Sequence, residues 1–557
     1  MVSSNSGVGS WPAVLVLVLF VISNISVVFP VRVPIPQTIH QGILNVLAVF
    51  RILPTSSRPL RRIYAHLNYI TVPLFSVLLL LMTGAIDGTV IREGIVGANG
   101  VKPLNIMALF ISLAYLSISL DATGLFRFLA LWVVRKGGSS GRRLYLYLYC
   151  FFLVCGVFVG NDPVILSGTA FLAYLTRISG ITPPTAWIFA QFAAANMASV
   201  VLVSSNPTNL VLSGAFSLTF LTYTAHCILP FLAAAVFVYP VLVVGLFRSP
   251  DLIPRSIDVI FEDIDTGVTL VDQKGAIFGS ILVLITLGVL VGTSAIGIPV
   301  WEVTVPPAVI MLSRDLHHDW TRHRRLFLEK LQSRPTSQPP VNRAAHESEI
   351  ELHQISSRGH QSSLFTAPPE TLLSWLTRYF GVVSVTFRTV TTIVERLPLA
   401  LLPFAFLMFI LVQALATEGW VEVLARWWAA WIDKTGVLGA IGGMGFLACI
   451  ACNVCGTNIG ATILLARVIQ LWISNSSNII DTRTRDGAIY ALAFGSNYGA
   501  FTLTFSASLA GLLWRRILRQ KGIHVRAMQF LIINLPIAFT AMLVSSLILL
   551  AQVSVVQ

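Results

Sequence analysis

Charge is what this chain has least of. Of its 557 residues only 11% are Asp, Glu, Lys or Arg, against about 25% in an average soluble domain. Hydrophobic residues make up 55%, and mean hydropathy is +0.80. Too little polarity remains to cover a water-soluble protein of this size. That excludes a soluble enzyme, a coiled coil and a disordered chain, and it leaves a polytopic membrane protein with the bilayer as its solvent. Cysteine is also scarce. Six Cys in a chain this long make no disulfide framework. There is no H-E-x-x-H, no G-x-S-x-G and no Walker A pattern, so nothing points to a catalytic constellation or a nucleotide domain.

The net charge of +13 does not read as a nucleic-acid surface. Most Lys and Arg sit in short segments between apolar runs, at 51–62, 135–143, 314–396 and 515–526. That is how topology-setting charge is distributed. It places these segments in the cytoplasm and the N-terminus outside. The first apolar run, 11–29, has no preceding Lys or Arg and no small-residue cleavage site, so an uncleaved span is expected.

Long apolar runs fall at 11–29, 69–86, 104–134, 220–247, 276–297, 398–416 and 529–551. Each exceeds or approaches the roughly 20 residues a spanning helix needs. The segment 39–53 is short, basic at its end and expected at the interface. From these runs the chain divides into N-terminal helices (1–103), a first transport repeat (104–247), a connecting loop with two helices (248–313), a cytoplasmic and partly disordered linker (314–397), and a second transport repeat (398–557). The linker's stretch 332–368 is rich in Ser, Pro, Gln, Glu and His, which predicts disorder.

Other apolar runs are interrupted. One stops at Asn161-Asp162-Pro163, and the next at Ser204-Ser205-Asn206-Pro207-Thr208-Asn209. In the second half the stops are Cys452-Asn453-Val454-Cys455-Gly456-Thr457-Asn458 and Gly495-Ser496-Asn497-Tyr498-Gly499. Each half thus holds two breaks in the same order, followed by one long run. The charge distribution gives the two halves opposite topology. Backbone leaves helical geometry at membrane depth only where it is buried in protein or lines a wet cavity. Paired breaks at matching places in two halves point to a transporter's binding site. The expected fold is all-α, with two inverted-topology repeats, each holding a re-entrant hairpin and a broken transmembrane helix.

An ionisable side chain at membrane depth is a functional candidate by default. Asp162, at the first hairpin tip, is the candidate for the coupling ion, Na+ or H+, and no resident cofactor or metal is expected. Asn161, Asn206, Thr208, Asn209, Asn453, Thr457, Asn458, Ser496 and Asn497 supply neutral donors and acceptors beside helix N-termini, which suits a small anion or oxyanion. Asp121 either marks a further kink or caps a short helix. Arg177 and Arg467, on the hairpins' returning arms, are expected to snorkel toward an interface. Cys449, Cys452 and Cys455 recur every three residues; a thiol site for a soft metal is one reading, and buried apolar packing is the plainer one.

The residues at the breaks carry a resemblance. Gly160-Asn161-Asp162, Ser205-Asn206-Pro207-Thr208-Asn209, Cys455-Gly456-Thr457-Asn458-Ile459-Gly460 and Ala493-Phe494-Gly495-Ser496-Asn497-Tyr498-Gly499-Ala500 resemble the ion-transporter superfamily, and within it the arsenical-pump and citrate-transporter-like permeases. The likeness covers roughly residues 70–550 apart from the linker. It implies a scaffold and a transport domain in each half, with substrate and coupling ion at the hairpin tips and breaks. The function expected is a secondary active transporter of an arsenite- or citrate-like anion, working by alternating access in the plasma membrane or an organelle membrane. Its partners are the bilayer and the substrate, and a homodimer is compatible with this pattern. The alternative is a channel-like conduit or a subunit of an ATP-driven anion pump.

Overall fold

A computed structural model describes residues 8–52, 64–98, 101–257, 270–294, 296, 298–332, 371–476 and 480–556. The chain forms two units. The larger comprises Met1–Arg32, His66–Met311 and Glu395–Gln557, and the smaller Val33–Ala65 and Leu312–Val394. Among the described residues, eight stretches are long and apolar enough to cross a bilayer: Trp11–Val28, Pro103–Ala122, Gly141–Val159, Phe220–Leu246, Gln273–Thr293, Arg388–Thr417, Trp420–Val454 and Ala527–Val555. The protein is an all-α, multi-pass membrane protein. Its strands are β1 (Val31–Pro34) and β2 (Tyr64–Leu67), four residues each.

The larger unit begins with α1 (Trp11–Val28). The smaller unit takes α2 (Gln37–Val49), and the larger resumes with α3 (Thr71–Met82) and α4 (Gly88–Val96). The run 69–86 therefore yields a helix of 12 residues rather than a full span. It ends because Gly84 takes φ +71°. The run 104–134 likewise divides, into α5 (Pro103–Ala122) and α6 (Leu125–Gly137), at Gly124 with φ 89°. Asp121 lies in the last turn of α5 and marks no kink within it.

Next come α7 (Gly141–Val159) and α8 (Asn161–Ile178), the first hairpin, and then α9 (Thr185–Ala198) and α10 (Pro207–Phe216), the two pieces of the first broken helix. The long α11 (Phe220–Pro240) follows, and α12 (Gln273–Ser294) and α13 (Val300–Gln332) lead out of the first half. The segment read as a linker is helical where it is described: α13 runs on to Gln332, and α14 (Leu372–Thr386) and α15 (Arg388–Arg396) follow. Residues 333–368 of the expected disordered tract lie outside the described residues. Within the smaller unit, the amides of Leu372 and Leu373 at the start of α14 donate to the carbonyls of Arg51 and Ile52 beyond the end of α2 (3.1 and 3.2 Å). Asp319 caps α15 by accepting from the amides of Thr389 (2.7 Å) and Val390 (3.1 Å).

The second half contains α16 (Leu401–Thr417), α17 (Trp420–Val454), α18 (Asn458–Asn475), α19 (Thr482–Gly499), α20 (Leu509–Gln520) and α21 (Ala527–Val556). Its order of elements repeats that of α5 to α11. Gly124 before α6 matches Gly419 before α17, with φ 89° and 82°. Gly138 (φ 61°, ψ −153°) matches Gly436 (φ 58°, ψ −148°), which breaks α17 in two. These backbone states are open to glycine and costly for other residues. Each broken helix is interrupted by extended backbone with one 3₁₀ turn, Val203–Ser205 or Phe505–Ala507, and restarts behind a polar cap, Asn206 or Ser508.

Packing between the halves is reciprocal. The second piece of the first broken helix, α10, packs on α18 of the second hairpin, while α20 packs on α8 of the first. The long helices α11 and α21 pair with each other. Buried aromatics fill the seam between α9, α20 and α21, with Phe192 stacked on Trp514 (4.6 Å between centroids) and Phe189 edge-on to it (5.2 Å). Small residues let α17 and α19 approach closely, as in helix pairs within membranes.

A Cβ at Gly495 would lie 2.4 Å from the carbonyl oxygen of Gly445 and 2.6 Å from the Ala448 Cβ. Gly495→Ala should therefore destabilise the fold by about 1–3 kcal/mol, read as a lower melting temperature of the detergent-solubilised protein. Gly442→Ala, on the α17 face with nothing within 4 Å, should leave the melting temperature unchanged or raise it.

Candidate functional site

The four breaks do not all end in the same place, and two clusters form. The first joins the two broken helices. Asn497, near the end of α19, donates from Nδ2 to Asn209 Oδ1 (2.7 Å) and to its own helix at the Ala493 carbonyl (2.9 Å). Its Oδ1 accepts from Asn206 Nδ2 (2.8 Å) and Ser199 Oγ (3.0 Å). An amide offers two donor hydrogens and two acceptor sites, and here all four are engaged. Asn209 uses its own donors on carbonyls freed by the break, those of Ser199 (2.7 Å) and Leu202 (2.9 Å). Asn206 accepts from the Thr208 amide (3.2 Å), which caps α10. Thr208 lies beside Asn209 (3.4 Å between the hydroxyl and Oδ1).

The second cluster ties the second hairpin to its neighbouring break. Asn453 donates to the Cys449 carbonyl (2.9 Å) and to Thr502 Oγ1 (2.8 Å), and accepts from the amide and hydroxyl of Thr504 (both 3.0 Å). Thr457 caps α18 by accepting from the Gly460 amide (3.3 Å). Asn458, the first residue of α18, is buried, and its carbonyl accepts from Thr462 (2.7 Å). Ser496 donates to the Ala493 carbonyl of its own helix (3.1 Å).

The first hairpin tip meets the first break directly. Gly160 packs so closely on Ser205 that a Cβ would stand 2.8 Å from the Ser205 carbonyl oxygen. Asn161 donates to Asn196 Oδ1 (3.4 Å), and Ser205 donates to the Val157 carbonyl (2.5 Å). Asp162 lines a small cleft of about 40 Å³ together with Leu113, Ser117, Asn161, Ser205 and Pro398. The breaks thus bring together Asn206, Thr208, Asn209 and Asn497, with Asn161 and Asp162 on the adjoining tip. Asn453 and Thr457 belong to the second cluster.

Ser199, Asn196, Thr502 and Thr504 were not singled out from the sequence. A signal exists for Ser199, which follows Asn196 by three residues and shares its helix face. It is masked by the Ala, Met and Val around it.

Of the three cysteines of the second hairpin, Cys449 and Cys452 are buried and Cys455 is half-buried. The thiols of Cys449 and Cys452 donate to the Gly495 carbonyl (3.4 and 3.9 Å), and Cys452 also to that of Ser496 (3.7 Å). Arg177 is exposed at the end of α8, as snorkelling requires. Arg467 differs. Its guanidinium donates to Gln470 (3.3 Å) and lines a cleft with Glu93, Gln413 and Gln470. Its side chain is half-buried among polar neighbours on α16, α4 and its own helix.

The site is therefore amide-rich, buried and free of fixed charge except at Asp162. The helix N-termini of α8 and α10 bring partial positive charge to it; that of α8 has no side-chain cap, whereas Asn206 caps α10. Such a setting suits a solute that accepts hydrogen bonds.

Residues 10–474 match the citrate transporter family. Curated relatives include an arsenical pump membrane protein of Escherichia coli, 29% identical over 219 residues, and one of Yersinia enterocolitica, 28% identical over 211 residues. Each alignment covers 38% of this chain and 48% of the relative, so the chain spans about half the length of the curated relatives it matches. A solved structure, the Alcanivorax borkumensis YdaH transporter, is similar with a TM-score of 0.48 and 14% identity over 98% of each chain. With the match extending from the first spanning helix to the end of the second hairpin, the chain belongs to the citrate transporter family.

Proposed function

We propose that this protein is a secondary active transporter that moves a small anion or oxyanion, arsenite- or citrate-like, by alternating access coupled to protons or sodium. The observation that carries the proposal is the Asn497 junction. One side chain from the second half bonds three side chains from the first half, beside the points where both transmembrane helices are interrupted. Interrupted helices at membrane depth are costly unless the freed groups are used. Here they converge on amides that can hold a hydrogen-bond acceptor, next to a carboxylate.

In this scheme Asn161, Asn206, Thr208, Asn209 and Asn497 form the substrate-binding wall, and Asn453, Thr457, Asn458 and Ser496 hold the second hairpin against it. Asp162 takes up the coupling ion in the cleft at the first tip. Each hairpin moves with the broken-helix piece it packs on, α8 with α20 and α18 with α10, in opposite membrane orientation. No group in the scheme makes or breaks a covalent bond. The relatives, arsenical pump membrane proteins, favour a second reading, in which the chain is the membrane subunit of an ATP-driven pump.

Counterflow in proteoliposomes separates the readings. The purified chain alone should exchange radiolabelled anion saturably and accumulate it when an ion gradient is imposed. Passive, non-saturating flux would mark a conduit, and a strict need for ATP and a second subunit a pump.

Asp162→Asn should abolish gradient-driven accumulation while expression stays normal; wild-type accumulation in that variant would remove Asp162 from the coupling step. Asn497→Ala leaves the partners of Asn497 unsatisfied, at about 1–3 kcal/mol for each buried group. It should lower the melting temperature and reduce transport at least about tenfold, measured by initial uptake rates. Cys452→Ser should transport at near wild-type rates, since the thiol bonds only to backbone carbonyls.

A further inference from the structure

Away from the Asn junction, one buried carboxylate is held in a way that a purely structural role does not explain. Asp121 ends α5, at the C-terminal, partially negative end of a spanning helix, where an anion is disfavoured. Its side chain is only 3% exposed. Two groups hold it, and they come from different parts of the chain. Ser167 Oγ, on the returning arm of the first hairpin, donates to Oδ1 at 2.5 Å. Arg396 Nη1, at the end of α15, donates to Oδ2 at 3.2 Å, and the Arg396 side chain is 33% exposed. Pro398, two residues beyond Arg396, lines the cleft that holds Asp162.

We propose that Asp121 is a second proton-binding site of the transporter, at which an incoming proton displaces Arg396 and frees the first hairpin. This rests on the reading of the chain as a coupled carrier. The step balances simply. A proton binds Oδ2, the Nη1–H···Oδ2 bond breaks, and the guanidinium keeps its charge and swings away on its exposed side. Release of the proton on the other side restores the pair. A proton fits where a sodium ion does not. Hard cations need several oxygen ligands, whereas here two oxygens are offered and a guanidinium occupies one of them.

The charged groups around Asp121 are few. Arg396 and, at longer range, Arg127 on α6 act on it. Asp272 and Lys274 stand where α12 begins; the Asp272 amide donates to the Thr123 carbonyl at 3.2 Å. On α8, Asp162 lies five residues before Ser167 and Arg177 ten residues after it. Of the other helices packed on α5, α10 and α16 carry no charged side chain, while Arg92 and Glu93 of α4 lie beyond the opposite end of α5. Glu302 of α13 belongs to the stretch that meets α5 at Ser112, through Thr304 (2.9 Å), more than two turns from Asp121. Among the described residues Arg396 is thus the one close counter-ion, and its loss strands a buried charge, which is strongly destabilising.

The test uses the full chain, with two readouts. In the first, the melting temperature of wild type, Arg396→Gln, Asp121→Asn and the double variant is measured between about pH 5 and 8, the window in which a buried carboxylate can be brought to protonate. Arg396→Gln should melt well below wild type at the high end and recover on acidification, because protonation removes the stranded charge. Adding Asp121→Asn should abolish both the loss and the pH dependence. If Arg396→Gln tracks wild type at every pH, or the double variant shows no rescue, Asp121 is not a proton site exchanging with Arg396. In the second, proton-driven accumulation in proteoliposomes should be lost in Asp121→Asn and retained in Asp121→Glu; retention in Asp121→Asn overturns the proposal. Should wild type show the expected melting pattern but no saturable exchange, the carrier reading fails while Asp121 stands as a proton site.

Discussion

A peptide group that leaves the helix inside a bilayer has no water to bond, and this governs the structure. The interruptions that meet at the junction are accompanied by side chains that take up freed groups. Asn209 holds the carbonyls of Ser199 and Leu202, Ser205 holds that of Val157, and Asn453 binds the amide of Thr504. The polar residues that make the breaks possible are the same ones that gather at the junction. Local backbone chemistry and site chemistry are therefore inseparable here, and the repeat of element order means the same solution was built twice.

Much of this was legible in the sequence, because an apolar run gains nothing from a cluster of Asn, Pro, Ser, Thr and Gly unless its backbone unwinds there. Both hairpin tips and the break before Pro207 fall at or beside the predicted clusters, whereas the second broken helix runs on through the cluster at 495–499 and is interrupted only beyond Gly499, before the restart at Leu509. What lies across the fold was not legible. Asn497 and Asn206 are 291 residues apart, and no local pattern says that they meet. Nor did composition show that Ser496 would turn back on its own helix, or that Arg467 would find polar company. Apolar length also misled at both extremes. The run at 69–86 outlasts its helix because Gly84 ends it, and α13 outlasts its apolar run because a charged helical surface needs no apolar face to continue.

The matched glycines show how the two halves stay alike with little sequence in common. Gly124 with Gly419, and Gly138 with Gly436, hold nearly the same dihedral angles. Side chains between them diverge, since lipid accepts any apolar surface. Backbone turns that only glycine makes cheaply do not have that freedom. Charged contacts diverge as well. Asp121 with Arg396 belongs to the first half, and the corresponding helix end in the second half carries Glu418, whose Oε2 meets no hydrogen-bond donor among the described residues.

Asn497 already has every hydrogen-bonding position filled by protein atoms. A solute arriving at this amide adds nothing to an empty slot; it must trade places with Asn206, Asn209 or Ser199. Binding then gains only the difference between two similar bonds, which keeps affinity modest and departure quick. It also links occupancy to geometry, since each traded bond is one that ties the two broken helices together. Loading the junction is, in this sense, the same event as loosening it.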